Sequence, residues 1–262
     1  MSTVASHDGT TIAFDRSGNG PPVVIVGAGP TDRRAHQPLA ALLASRFTVL
    51  NYDRRGRGDS GDTAPYAVDR EYEDLAAVIG EAGGSAGVFG DSGGGILALE
   101  AAARGLPITM LAVWEPPYVI DGSRPPVPQD YRERLGRLSA AGRRGDMVEL
   151  FLTQAVGMPA GAVAPMRQSP FWPSMEAVAH ALVYDAMIVG DFSLPAGRVA
   201  GVKAPTLVLD GGQTPWLSAA AQAVAAAVPD ARRHTLEGQP HNVDAAVLAP
   251  ALVPFFGQGG LS

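Results

Sequence analysis

The stretch Gly90-Asp91-Ser92-Gly93-Gly94-Gly95 sets a single hydroxyl among glycines, and an imidazole, His241, follows far downstream in Gly238-Gln239-Pro240-His241. A serine hydroxyl is a weak nucleophile at its own pKa and attacks only when an adjacent base takes its proton. Histidine is the side chain suited to that transfer near neutral pH. A carboxylate must then orient the imidazole and stabilise its cation, and two acidic residues stand at the ends of late apolar runs, Glu115 and Asp210. These residue types together permit acyl transfer through a covalent serine intermediate, if the fold gathers them.

The flanks of Ser92 say how it is held. Residues 85–89 (SAGVF) are short and apolar, as for a buried strand, and 96–104 (ILALEAAAR) are strong helix formers stopped by Gly105 and Pro107. The serine therefore stands where a strand turns sharply into a helix, and the glycines at 90, 93 and 94 permit the close backbone approach such a turn needs. Trypsin-like proteases carry similar letters around their serine, but late in an all-β chain with disulfides. Here the serine lies in the first half and cysteine is absent.

The remaining elements follow from periodicity and turn residues. Residues 3–6 and 11–15 around Asp8-Gly9 predict a hairpin; 22–26 (PVVIV) and 47–52 (FTVLNY) predict strands, with helices over 34–45 and 69–81. Further strands are expected at 108–114, 205–209 and 232–236, helices at 219–227 and from 243 onward, and a loop over 237–242. Strand and helix alternate on both sides of a gap, which implies a mostly parallel sheet covered by helices on both faces. The gap holds helical stretches at 129–141, 146–155 and 174–189 with proline-rich joints. The expected organisation is a core of residues 1–116 and 203–262 with a helical cap over 117–202.

Composition narrows the function classes. The 262 residues can bury a full core, carry a net charge of −6 and lack an extended basic cluster, so nucleic acid is not an expected partner. Zero cysteines exclude disulfides, thiolate metal sites and cysteine catalysis. No run approaches the roughly 18 apolar residues of a membrane span, and residues 1–9 are polar, so the expectation is a cytoplasmic protein that does not enter a membrane. Oligomeric state is not legible.

Four features in chain order resemble the α/β-hydrolase family: Gly27-Ala28-Gly29-Pro30 after an early strand, Tyr52 to Ser60 with its Asp-Arg-Arg-Gly-Arg-Gly-Asp-Ser core, the elbow Gly90-Asp91-Ser92-Gly93-Gly94, and Gly238-Gln239-Pro240-His241. The resemblance covers the chain outside the cap. It implies Ser92 as nucleophile, His241 as base, and the amides of Gly29 and Gly93 as oxyanion hole. It implies no cofactor. Relatives often carry His-Gly where this chain has Gly27-Ala28, and many place their acid at the position of Thr214, in Gly211-Gly212-Gln213-Thr214-Pro215. Threonine cannot stabilise an imidazolium by charge. Glu115 is the preferred substitute, since some relatives place the acid after the strand following the elbow, and Asp210 is the alternative. A Ser-His dyad, an inactive site, and purely local roles for Glu115 and Asp210 are the competing readings.

The resulting expectation is a serine hydrolase that cleaves a carboxylic ester, thioester or lactone of a small apolar molecule. A haloperoxidase-like side activity is compatible with the same serine site. The alternative is a non-hydrolytic member of the fold that binds or tailors a small molecule. Ser92 stands where epoxide hydrolases and haloalkane dehalogenases of this fold carry aspartate, which argues against those activities. Gly27-x-Gly29 lacks the third glycine of a dinucleotide fingerprint, Asp32 taking its place. His7, His36, His180 and His234 are not spaced as metal ligands, although His36 could reach the cleft. Met166, Phe171, Trp172, Met187 and Trp216 read as packing residues that would also suit an apolar substrate.

Overall fold

The computed structural model describes residues 1–120, 122 and 124–258. Positions 121 and 123 of the expected cap and 259–262 of the expected core lie outside the described residues. Eight strands form one sheet: β1 (Ser2–Ala5), β2 (Thr11–Ser17), β3 (Pro22–Val26), β4 (Thr48–Tyr52), β5 (Ala86–Asp91), β6 (Ile108–Trp114), β7 (Thr206–Gly212) and β8 (Ala231–Gln239). Their spatial order is β1-β2-β4-β3-β5-β6-β7-β8. The β1 and β2 hairpin joins antiparallel, and every pair from β4 to β8 is parallel.

Strands β3 to β7 are buried on both faces because alternate residues serve two cores, whereas the edge strand β8 is largely exposed. Val24, Val26, Val88, Leu111, Val113 and Val208 pack toward α2 (Val68–Glu81), α3 (Gly93–Ala103) and α10 (Pro215–Ala227). Val23, Ile25, Phe89, Met110, Ala112, Leu207 and Leu209 pack toward α1 (Gln37–Leu43) and α11 (Ala245–Gly257). Each such side chain taken out of water is worth roughly 1.5–3 kcal/mol, so the two layers fix the register that aims the strand ends.

Chain order and spatial order disagree at one place that matters. From β3 the chain crosses to β4 on one side and later returns to β5 on the other. The connections after β3 and β5 diverge there, and the crevice they leave at the carboxyl ends of the strands is where ligands bind in open α/β sheets. The turn at residues 27–30 and the elbow at Ser92 border it.

Between β6 and β7 lie α4 (Tyr131–Ala140), α5 (Arg144–Leu150), a π-helical turn (Phe151–Ala155), α6 (Ala160–Met166), α7 (Trp172–Ala177), α8 (Leu182–Val189) and α9 (Ala196–Val199). Tyr131, Leu135, Met147, Val148, Val163, Trp172, Leu182 and Phe192 form a core of their own there. The single helix expected over 174–189 is broken: α7 ends at Ala177, Val178 leaves helical angles, and a 3-10 turn (Ala179–Ala181) precedes α8. Just past the break the Arg57 guanidinium donates to the Ala181 carbonyl (3.4 Å), a tertiary bond that local propensity does not encode. Val199 and Val202 join the core on α3, and Arg198 of α9 pairs with Glu100 (3.0 Å), so the end of the insertion packs on the sheet layer. β8 runs to Gln239, beyond the expected 236, because Gln239 pairs with Gly212 past an irregularity in β7.

Candidate active site

Ser92 sits between β5 and α3 at φ +51° and ψ −120°, a backbone conformation rarely adopted outside glycine. Neighbouring glycines make that turn sterically feasible. A Cβ at Gly90 would stand 2.6 Å from the Gly95 Cα, and one at Gly94 would collide with the Val26 carbonyl oxygen. The elbow is pinned across the sheet by the Ser92 amide, which donates to the Trp114 carbonyl at 2.8 Å.

Glu115 follows β6 directly, is fully buried, and carries φ +41°. Among the described residues only Ser92, Glu115 and Phe192 are non-glycines with positive φ, so two of the three strained positions are candidate site residues. Such conformations cost about 1–3 kcal/mol each and persist only where the surroundings enforce them. Here the Glu115 amide donates to the Leu209 carbonyl (2.9 Å), and its Oε1 accepts from the Gly211 amide (2.9 Å). Its Oε2 is left for His241.

The imidazole of His241 bridges the other two residues. Its Nδ1 lies 2.6 Å from Glu115 Oε2 and its Nε2 lies 3.2 Å from Ser92 Oγ. With the proton on Nδ1 donated to the carboxylate, Nε2 is free to accept from the serine hydroxyl. The Trp114 indole N–H donates to the His241 carbonyl (2.8 Å) and fixes the loop that carries it. Sequence reading assigned Trp114 to the strand alone; its buried N–H, which needs an acceptor, was the available signal. Burial pulls the His241 pKa down, but the Glu115 hydrogen bond and the charges of Asp91 and Glu115 outweigh it and hold the group above its ordinary 6.5.

Asp210, the alternative acid, does not join this chain. Its carboxylate is fully buried but accepts from Arg233 Nε (2.7 Å) and Nη2 (3.0 Å), Ser218 Oγ (2.8 Å), Thr235 Oγ1 (3.2 Å) and the Gly212 amide (3.2 Å). Burial alone would raise its pKa; Arg233 and Ser218 more than offset that and hold it below the ordinary 3.8. Thr214 precedes α10, and its backbone carbonyl accepts from the amides of Leu217 and Ser218 (3.0 and 3.1 Å), with no side-chain cap.

The Gly93 amide is the first of α3, has no intrahelical acceptor, and belongs to a helix end that favours negative charge. Gly29 lies in the turn after β3, at φ +61°, next to Ala28, whose Cβ is 3.6 Å from where a Cβ on Gly93 would be. The Phe151 ring overhangs Gly29, 3.5 Å from where a Cβ would be, and belongs to the π-helical turn of the insertion. Phe151 was not singled out from sequence, where it is one apolar residue in a helical stretch. Of the aromatic and thioether candidates, Trp172 is buried in the insertion's own core beside partly buried Met166, Phe171 is 74% exposed, and Trp216 lies under the Arg124 guanidinium (4.6 Å). Met187 is partly buried on α8.

Residues 23–253 match the Alpha/beta hydrolase family. The chain belongs to that family. An α/β hydrolase from Sphaerobacter thermophilus DSM 20745 superposes with a TM-score of 0.94 at 58% identity, over 97% of this chain and all of that one. The enol-lactonase from Burkholderia xenovorans LB400 shares the fold at a TM-score of 0.74 and 22% identity, over 98% of this chain and all of that one. An 83-residue stretch is 40% identical to Probable oxidoreductase EphD of Mycobacterium tuberculosis (strain ATCC 25618 / H37Rv), covering 30% of this chain and only 14% of that protein's length. As an α/β hydrolase the protein is a hydrolytic enzyme, and no helix among its described residues is long and apolar enough to cross a membrane.

Proposed function

We propose that this enzyme cleaves a carboxylic ester, thioester or lactone of a small apolar molecule through an acyl-enzyme. Ser92 Oγ attacks the carbonyl carbon while His241 Nε2 takes its proton. Glu115 holds the ring by Nδ1 and stabilises the imidazolium, and the amides of Gly29 and Gly93 receive the oxyanion. His241 then delivers the proton to the departing alcohol, thiol or lactone oxygen. Water, deprotonated by the same imidazole, attacks the acyl carbonyl and releases the carboxylate and Ser92.

One observation carries this reading: Ser92, His241 and Glu115 form an unbroken hydrogen-bond chain of 3.2 and 2.6 Å. The non-hydrolytic alternative rests on Thr214 at the usual acid position, and Glu115 beside the imidazole supports the hydrolytic reading over it. The apolar substrate class is supported by Phe151 over the Gly29 turn, and the helical insertion supplies the cap over the cleft. The test is stopped-flow hydrolysis of short-chain p-nitrophenyl esters and simple lactones. A p-nitrophenol burst stoichiometric with enzyme, absent in Ser92→Ala, is expected; binding of ester without turnover by the folded wild type contradicts the reading.

A further inference from the structure

A second imidazole and carboxylate are paired outside the Ser92–His241–Glu115 hydrogen-bond chain. His36 Nε2 is 3.0 Å from an Oδ of Asp91, the residue immediately before Ser92, across 55 positions of chain. The same ring fills the space beside Gly27: a Cβ built on Gly27 would lie 3.1 Å from His36 Cε1 and 3.2 Å from its Nδ1. One side chain thus touches both the turn that carries Gly29 and the elbow that carries Ser92. Its side chain is only 12% exposed, and it adjoins a small void bordered by Asp32, Arg33, Arg54 and Arg57.

We infer that His36 is a positioning residue for acyl transfer, wedged under Gly27 and tied to Asp91 so that the Gly29 turn and the Ser92 elbow keep one spacing. An oxyanion is stabilised only if donors from both segments reach the same oxygen, and those segments belong to different strands. The turn is glycine-rich, so its backbone does not hold the spacing unaided.

Asp91 adds an electrostatic consequence. It is bonded to His36, and its negative charge, with that of Glu115, favours the His241 imidazolium. A His36 that donates Nε2–H to Asp91 keeps that carboxylate ionised and aimed.

This inference rests on the acyl-transfer reading, and the rate of Ser92 sulfonylation by a small sulfonyl fluoride separates the two. If wild-type Ser92 is not labelled, the parent reading fails; if it is labelled but His36→Ala reacts at the wild-type rate, only the present inference fails. The expected result for His36→Ala is a loss of roughly tenfold or more in both kcat and sulfonylation rate, in line with a displaced oxyanion donor, with KM changed by less than about threefold. His36→Gln, whose amide can still donate to Asp91, should recover most of the loss. Asp91→Asn should match the kcat defect of His36→Ala and shift the acidic limb of kcat/KM to lower pH. A merely structural pair would lower the melting temperature of all three variants while sparing kcat and the pH limb in the folded fraction, and that outcome would overturn the proposal.

Discussion

β6 and β7 are neighbours in the sheet, and each delivers a fully buried carboxylate at its carboxyl end. Their environments diverge within a few ångströms. Asp210 is surrounded by donors, with an arginine fork, two hydroxyls and an amide filling its oxygens. Glu115 has one amide on Oε1 and gives Oε2 to an imidazole, on a backbone that holds a left-handed conformation. A satisfied buried carboxylate is a structural tie, whereas one with its free oxygen aimed at a histidine can respond when that histidine gains a proton. Partner inventory, more than burial or position at a strand end, separates the two.

The sharpest way to break this comparison is to neutralise each acid in turn. Glu115→Gln keeps the volume but presents the imidazole with an amide, which permits the wrong tautomer and removes the counter-charge. By analogy with other serine triads, kcat should fall roughly 10³- to 10⁴-fold, measured in ester turnover. A loss below about tenfold would demote Glu115 to a packing role.

A smaller effect sharpens the same point through pH. In the proposed mechanism the neutral imidazole is the base, and Glu115 and Asp91 hold the His241 pKa above 6.5, so kcat/KM should rise with pH through a midpoint above 6.5. Residual activity of Glu115→Gln should show that midpoint displaced to lower pH. An unmoved limb would mean that another group governs it.

The smallest effect on activity belongs to Asp210→Asn. Turnover should stay within about threefold of wild type, while stability falls by about 1–3 kcal/mol from weakened buried hydrogen bonds, measured by urea denaturation. Because the folded Asp210 pKa lies below 3.8, its stabilising contribution is present above that pH and is lost as pH falls through the folded value. The gap between variant and wild type should therefore close in acid. A kcat collapse in Asp210→Asn would reverse the assignment of the two acids.

Much of this arrangement was legible in the sequence, for identifiable reasons. Buried parallel strands write continuous apolar runs such as 22–26 and 108–114, and the elbow needs glycines at fixed offsets. The histidine follows from chain order. Glu115 could be preferred from its place after a strand, but the bond to His241 depends on the register of β6 against β7 and β8. The His36 tie to Asp91 spans 55 positions and leaves no periodic signal. The insertion was least legible: the break at Val178 and the π-helical turn at Phe151–Ala155 sit among residues that pack into the insertion's own core, and local propensity does not carry such tertiary packing. The extension of β8 to Gln239 likewise depends on its partner, Gly212.

The proposed chemistry depends on an activated Ser92, which intact-mass analysis after exposure to a small sulfonyl fluoride reads out. One adduct per chain is expected, mapped to Ser92 and absent from Ser92→Ala. A folded, monodisperse enzyme that takes up no adduct, or a Ser92→Ala variant labelled as readily as wild type, would contradict that chemistry.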